Sequence, residues 1–299
     1  MFDVVIVGGG PAGLSAALLL GRCRRRVLLC DSGHPRNEAS HAMHGFLTRD
    51  GMPPAEFLAR AREELKPYDT VELRHCTVTS AECVDGAFVT TLKDGEQFRS
   101  RKLLLATGVC DNIPQLEGMD GLYGRSVFHC PYCDGWEIRD EPIAIYGRGE
   151  RGYGLTVELT LWSRDLVLCT DGPSEIGDEK RERLTRNGIS IREERIERLE
   201  GTDGILERIV FAGGASIARR AMFFTTGQSQ QSALATTLGC NVNEKGTVMT
   251  GKYETTHLRG LFVAGDASRA VQWVVVAAAE GAEAAFAINT DLLKEDLLS

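Results

Sequence analysis

The chain carries one pattern of strand, turn and helix twice, and few folds accommodate that. Residues 4–20 read VVIVGGGPAGLSAALLL, a short β-branched run, a glycine-rich turn and an apolar stretch of helical character. Residues 143–159 read IAIYGRGERGYGLTVEL, the same order of residue types at an offset of 139. The offset persists beyond the turn, because Val27-Leu28-Leu29-Cys30 falls in register with Leu166-Val167-Leu168-Cys169. A second echo sets Leu103-Leu104-Leu105-Ala106-Thr107-Gly108 beside Met222-Phe223-Phe224-Thr225-Thr226-Gly227, so each half closes on a strand followed by Thr-Gly. Strands alternating with helices predict parallel sheets, and 299 residues are enough for two of them.

In the first unit Gly8, Gly10 and Gly13 form a G-x-G-x-x-G turn, with Pro11 and Ala12 inside it and Asp31 at the end of the next strand, 18 residues after Gly13. Glycines there permit a tight turn, let the backbone approach a pyrophosphate and allow close helix–strand packing, while the acid accepts hydrogen bonds from a ribose. The helix N-terminus offers its unpaired N–H groups to the anion. The second unit keeps Gly147, Gly149 and Gly152 but puts Arg148, Glu150 and Arg151 where the first has small residues. Thr170 replaces Asp31, Asp171 and Gly172 follow, and the next cation is Lys180, so no arginine stands ready for a 2′-phosphate. NADPH fits poorly, which leaves NADH through Asp171 or a domain that keeps the fold and binds no nucleotide.

Between the units lies His129-Cys130-Pro131-Tyr132-Cys133-Asp134-Gly135-Trp136. A Cys-x-x-Cys pair can close a small disulfide loop, and Asp134 can exchange a proton with a departing thiolate. A zinc site would need two more ligands, but no second Cys-x-x-Cys exists and His41 and His44 are the one ligand-spaced pair, so no metal is expected. Nine cysteines with a single close pair suggest a reducing compartment. The absence of a basic leader at Met1 and of a long apolar run predicts a cytoplasmic protein with no membrane partner. A net charge of −8 argues against a nucleic-acid-coating role.

Gly8-Gly9-Gly10-Pro11-Ala12-Gly13, Ala106-Thr107-Gly108, Cys130-Pro131-Tyr132-Cys133-Asp134-Gly135 and Gly265-Asp266-Ala267, in that order, resemble the low-molecular-weight thioredoxin reductases over essentially the whole chain. The resemblance implies an α/β protein of two Rossmann-like (FAD/NAD(P)-binding) domains, the second inserted into the first, and a homodimer. The FAD domain is expected from residues 1–113 and 244–299, and the inserted pyridine-nucleotide-type domain, bearing the cysteines, from 114–243. It further implies that Cys133 lies against the flavin, Cys130 attacks the substrate disulfide and Asp134 is the acid–base group. Rotation of the inserted domain would alternately bury and expose the pair. Thr107 and Gly108 join the FAD cradle. Gly260 to Asp266 reads as a buried strand ending at an acid for a ribityl hydroxyl. Gln272, at the flavin pyrimidine edge, and Trp273 beside it are expected to open a long helix to about Leu293, whose N-terminus would stabilise a reduced flavin.

Two departures from the family pattern point to a branch within it. The basic nucleotide motif is missing, and the early loop reads Asp31-Ser32-Gly33-His34-Pro35-Arg36-Asn37 with His44-Gly45-Phe46 later. Both are similar to fungal dithiol oxidases of the gliotoxin type and to the NAD(P)H-independent, deeply rooted thioredoxin reductase-like flavoproteins of cyanobacteria. Asp134, where the oxidases usually carry His, favours the latter. The expected function is an FAD-dependent thiol–disulfide oxidoreductase that reduces a thioredoxin-like protein disulfide, with ferredoxin or NADH rather than NADPH as donor. A small-molecule dithiol oxidase using oxygen, or a flavin redox sensor without turnover, are the alternatives. For an acidic ferredoxin the densest basic cluster is Arg22, Arg24, Arg25 and Arg26, whose simpler role is to complement a helix C-terminus.

Overall fold

A computed structural model describes residues 1–298. The chain divides into two compact units, one built from Met1–Glu38, Pro54–Cys110 and the residues from Gln228 onward, the other from Ala39–Pro53 and Asp111–Gly227. The crossing expected near 244 therefore lies inside the first unit, and a loop between Glu38 and Pro54 belongs with the second.

The first unit opens with β1 (Phe2–Val7), α1 (Pro11–Arg22), β2 (Val27–Asp31), α2 (Pro54–Leu65) and β3 (Val71–His75). An antiparallel meander follows, β4 (Val78–Val84), β5 (Ala87–Leu92) and β6 (Gln97–Leu105), and then the short β7 (Val109–Asp111). The second unit adds β8 (Val127–Phe128), α3 (Pro131–Asp134), β9 (Ile143–Tyr146), α4 (Gly149–Leu159), β10 (Leu166–Cys169), α5 (Asp178–Arg186) and β11 (Ser190–Arg192). Its own meander is β12 (Ile196–Thr202), β13 (Ile205–Phe211) and β14 (Ser216–Ala218), before β15 (Ala221–Phe224). The chain returns to the first unit through β16 (Gln228–Gln230), α6 (Leu234–Thr237), β17 (Leu261–Val263) and α7 (Val274–Leu298).

The repeat read from the sequence is a repeat of topology. In the first unit the parallel strands run β3-β2-β1-β6, with β17 on β6; in the second they run β11-β10-β9-β15, with β8 beyond. Val4↔Val27 and Leu166↔Ile143 are matching positions in the two registers. Strands covered on both faces must be apolar throughout, which is why these runs show no alternation. Val4, Val5, Ile6, Leu28, Leu29, Leu103 and Leu104 are all fully buried. One face of the first sheet is covered by Ala16, Ala17 and Leu20 of α1 with Ala284, Ala285 and Ile288 of α7. Those helices meet so closely that a Cβ on Gly281 would sit 2.0 Å from the Ala12 carbonyl oxygen.

The last helix departs from expectation at both ends, beginning at Val274 and running to Leu298. Gln272 stays outside it because its Nε2 donates to the carbonyls of Asp266 and Arg269, each at 3.1 Å, folding the side chain back on the preceding turn. The Trp273 carbonyl accepts the Ala277 N–H, so Trp273 stands at the helix boundary.

Candidate active site

In the first unit the expected cofactor residues gather at one edge of the sheet. Gly8, Asp31, Ala106 and Ala264 each stand at or just beyond the carboxyl ends of β1, β2, β6 and β17, neighbouring parallel strands, where α/β sheets bind ligands. Gly8 adopts φ +113°, and a Cβ there would lie 2.2 Å from the Ala106 carbonyl oxygen; one on Gly13 would lie 1.9 Å from the Gly8 carbonyl oxygen. These two glycines are demanded by the fold. Gly10 is different: a Cβ would meet no protein atom within 4 Å. It caps α1 with no side-chain hydrogen bond and no acid in the first turn, Pro11 takes the first helical position, and Gly108 is likewise open. A free helix N-terminus facing an uncrowded glycine is a cradle shaped for a phosphate.

Asp31 is nearly buried, its carboxylate so close that a Cβ on Gly9 would strike it at 2.3 Å. It accepts the Gly33 N–H at 2.9 Å and the Arg62 guanidinium at 2.8 Å, one donor on each oxygen, which leaves lone pairs for ribose hydroxyls. Past β17, Gly265 has φ +81° and its N–H is taken by Glu280 of α7 at 2.8 Å. Asp266 pairs with Arg36, whose Nη1 also reaches the Gln272 Oε1 at 2.7 Å. Beside them Gln230 donates to the Ala267 carbonyl while its buried Oε1 has no protein partner, an acceptor suited to a ligand hydroxyl. The open cradle, the ribose acid and this unpaired acceptor fit FAD. Trp273 is 39% exposed.

In the second unit Cys130 and Cys133 are joined as a disulfide, Cα to Cα 5.3 Å, across the single turn of α3. Cys130 is the N-cap, and its carbonyl accepts the N–H groups of Cys133 and Asp134. Gly135 is required next: a Cβ would meet the Pro131 carbonyl oxygen at 2.5 Å and the Trp162 ring at 2.9 Å. Asp134 is pushed up to about 7, chiefly by burial and further by Glu137, with His44 opposing. His129, the residue before Cys130, lies 3.6 Å from the Asp111 carboxylate and 3.4 Å from the Tyr123 hydroxyl. The remaining cysteines are unpaired thiols, and burial pushes Cys169 up to about 12, keeping it inert. Among the described residues no cluster of His, Cys, Asp or Glu could hold a metal, and no helix is long and apolar enough to cross a membrane.

The second glycine turn carries its own obstruction. Arg148 occupies the position of Gly9, and its Nε donates to the Thr170 carbonyl at 2.5 Å while Nη2 donates to the Asp171 carbonyl. The guanidinium thus lies across the carboxyl end of β10, against Gly172. Asp171 Oδ1 is spent on the Ile196 N–H at 2.7 Å, and Lys180 is paired with Glu150. Sequence reasoning placed Arg148 correctly but not its reach along the strand end. Arg62, Glu280 and Arg269, which supports Glu280 at 2.5 Å, carry no local signal and were not foreseen.

Two parallel-sheet units, one with an open glycine turn and one with a Cys-x-x-Cys disulfide, are the arrangement of flavin-dependent disulfide oxidoreductases. The chain belongs to the pyridine nucleotide-disulphide oxidoreductase family, which it matches over residues 2–281. It is 30% identical over 304 residues to the thioredoxin reductase aclD of Aspergillus oryzae, covering 98% of this chain and 96% of that one. Among solved structures it is similar to HlmI, with 35% identity, a TM-score of 0.94 and coverage of 99% and 94%. It is also similar to the oxidoreductase of Agrobacterium tumefaciens, with 34% identity, a TM-score of 0.91 and 98% of both chains covered. The protein is therefore an enzyme of thioredoxin reductase type.

Proposed function

We propose that this enzyme passes electrons through FAD and the Cys130–Cys133 disulfide to a protein disulfide such as that of thioredoxin, acting as a homodimer. The observation that carries the reading is the closed Cys130–Cys133 pair with Asp134, an acid brought to about 7, immediately beside it. Gly8, Gly10, Pro11, Ala12 and Gly13 with the α1 N-terminus hold the pyrophosphate, and Asp31 holds the ribose. Thr107, Gly108, Gly265, Asp266, Gln272 and Trp273 complete the site. Bound FAD would supply a store for one electron pair, and Cys133 is the sulfur that would receive that pair when the disulfide opens. Reduced Cys130 gives its proton to the Asp134 carboxylate and attacks one sulfur of the substrate disulfide, and the departing thiolate takes that proton from Asp134. Cys133 then gives its proton to Asp134 and attacks Cys130, which restores the disulfide, and Asp134 passes that proton to the second substrate thiolate as it leaves. Exposed Phe286, Leu293 and Leu297 on α7 support self-association.

For the donor we favour a one-electron protein such as ferredoxin over NADPH or NADH, as in the NAD(P)H-independent branch. Arg148 lying across the β10 end and Asp171 held by Ile196 support this. The Arg22–Arg26 cluster contributes little to docking, since Arg25 is bound to Asn289 and to Asp296 at 2.7 Å. The same obstruction favours a second reading, oxidation of a small dithiol with electrons passed to oxygen, which needs no nucleotide. Anaerobic mixing of the purified enzyme with NADH, NADPH and reduced ferredoxin separates these. Rapid flavin bleaching by ferredoxin alone is expected, bleaching by stoichiometric NADPH overturns the donor assignment, and peroxide formation with dithiols in air establishes the oxidase.

A further inference from the structure

The loop after β2 leaves from the ribose acid and delivers a guanidinium to the residues expected around the flavin. Asp31 Oδ1 accepts the Gly33 N–H at 2.9 Å, and the Pro35 carbonyl accepts the Glu38 N–H at 3.1 Å, so Arg36 stands inside a hydrogen-bonded turn. From there it reaches three other segments of the same unit. Nη1 donates to Asp266 Oδ2 in the turn after β17 at 2.8 Å and to Gln272 Oε1 before α7 at 2.7 Å, while Nη2 donates to Gln228 Oε1 of β16 at 3.2 Å. The Arg36 and Asp266 side chains are only 17% and 18% exposed. All three atoms on the guanidinium are acceptors, and one is anionic. Without the cation they would face one another in a mostly buried site, and each would turn away in search of a donor.

We propose that Arg36 is a positioning residue for the flavin half of the cofactor site: it fixes Asp266 and Gln272 in the arrangement that tells FAD from an adenine nucleotide alone. The inference rests on the reading that this cradle takes FAD and adds the group that organises its far end. The pairing falls on Asp266 Oδ2, which leaves Oδ1 to accept from a ribityl hydroxyl. Gln272 is constrained further. Its Oε1 lies on the donor-only guanidinium and both Nε2 hydrogens go to the carbonyls of Asp266 and Arg269, so the amide has one orientation and toward a ligand can act only as an acceptor. That suits the ring N–H of a flavin pyrimidine. The phosphate cradle and the ribose acid are furnished by other groups, the α1 N-terminus and Arg62, so the two halves of the site can fail separately. A lysine in place of Arg36 keeps the charge but not the planar fork that spans three acceptors.

The test is binding to the flavin-free protein, with FAD followed by the change in flavin fluorescence and ADP by calorimetry. Arg36→Met is expected to weaken FAD about tenfold or more while ADP affinity stays within about twofold of wild type. Arg36→Lys falls between, and Gly10→Ala, at the phosphate cradle, weakens both ligands together. Retained ADP affinity separates this role from a general loss of structure, which would weaken both ligands. Unchanged FAD affinity in Arg36→Met, or FAD and ADP weakened equally in both Arg36 variants, overturns the inference and leaves FAD binding itself intact. A wild-type protein that binds ADP as tightly as FAD overturns the FAD reading, and this inference with it.

Discussion

Asp134 is a cost to the fold and, in the exchange proposed above, a tool for the reaction. Its carboxyl is raised from the ordinary aspartate range to about 7, first by burial and then by Glu137, against the pull of His44. Below the unfolded value the group is neutral in both states and its burial costs little. As pH rises through the folded value the native state binds more protons than the unfolded one, and stability is lost until about pH 7. Asp134→Asn is therefore expected to raise the thermal unfolding midpoint at pH 8 and to leave it nearly unchanged at pH 4, while slowing disulfide exchange at neutral pH. Parallel melts at the two pH values check this, and equal shifts at both would contradict it. The residue itself was legible because it adjoins Cys133. His44 stood out in the sequence as one of a ligand-spaced histidine pair and as part of an unusual loop but not as a neighbour of Glu137, because the chain separates it from α3 by nearly ninety residues and only the folded loop brings the two together.

At the scale of elements, the glycines of the first turn divide into those the fold needs and one the ligand needs. Gly13→Ala and Gly8→Ala press a Cβ into backbone carbonyls and should destabilise the unit outright. Gly10→Ala adds a methyl where no protein atom lies, at φ −78°, so the apoprotein should unfold within about 0.5 kcal/mol of wild type. Its FAD affinity should fall, because the methyl occupies the phosphate approach. Denaturation of the apoprotein and flavin retention on gel filtration, compared for Gly10→Ala and Gly13→Ala, give the two readouts. Gly281→Ala belongs to the first group, since its Cβ would collide with Ala12 and part α7 from α1 at a cost of roughly 1–3 kcal/mol. Repeated elements were readable because β-branched runs and glycine turns are local signals with a fixed offset. The start of α7 was not, because it depends on Gln272 binding carbonyls before it, and the demand on Gly281 comes from a helix at the other end of the chain.

For the whole molecule, the duplicated sheet order gives one topology twice with differently furnished strand ends. The first copy keeps the open glycine turn and the ribose acid; the second replaces Gly9 by Arg148 and lays that side chain over the equivalent strand end. Arg148→Gly is expected to allow weak NADH binding by the enzyme, seen as tryptophan quenching absent in the wild type, with no gain for NADPH, because no arginine replaces the 2′-phosphate reader. Two-unit organisation was legible from the offset of the motifs, but the placement of residues 39–53 with the second unit was not, as nothing in that loop's composition announces its packing. In the proposed function FAD and the Cys130–Cys133 disulfide act as one electron store. Anaerobic reductive titration with dithionite, counted against bound FAD, tests it most directly. The wild type should take up twice the reducing equivalents of Cys130→Ser, with two thiols becoming alkylatable as the second half is consumed; equal uptake by both proteins would contradict the account.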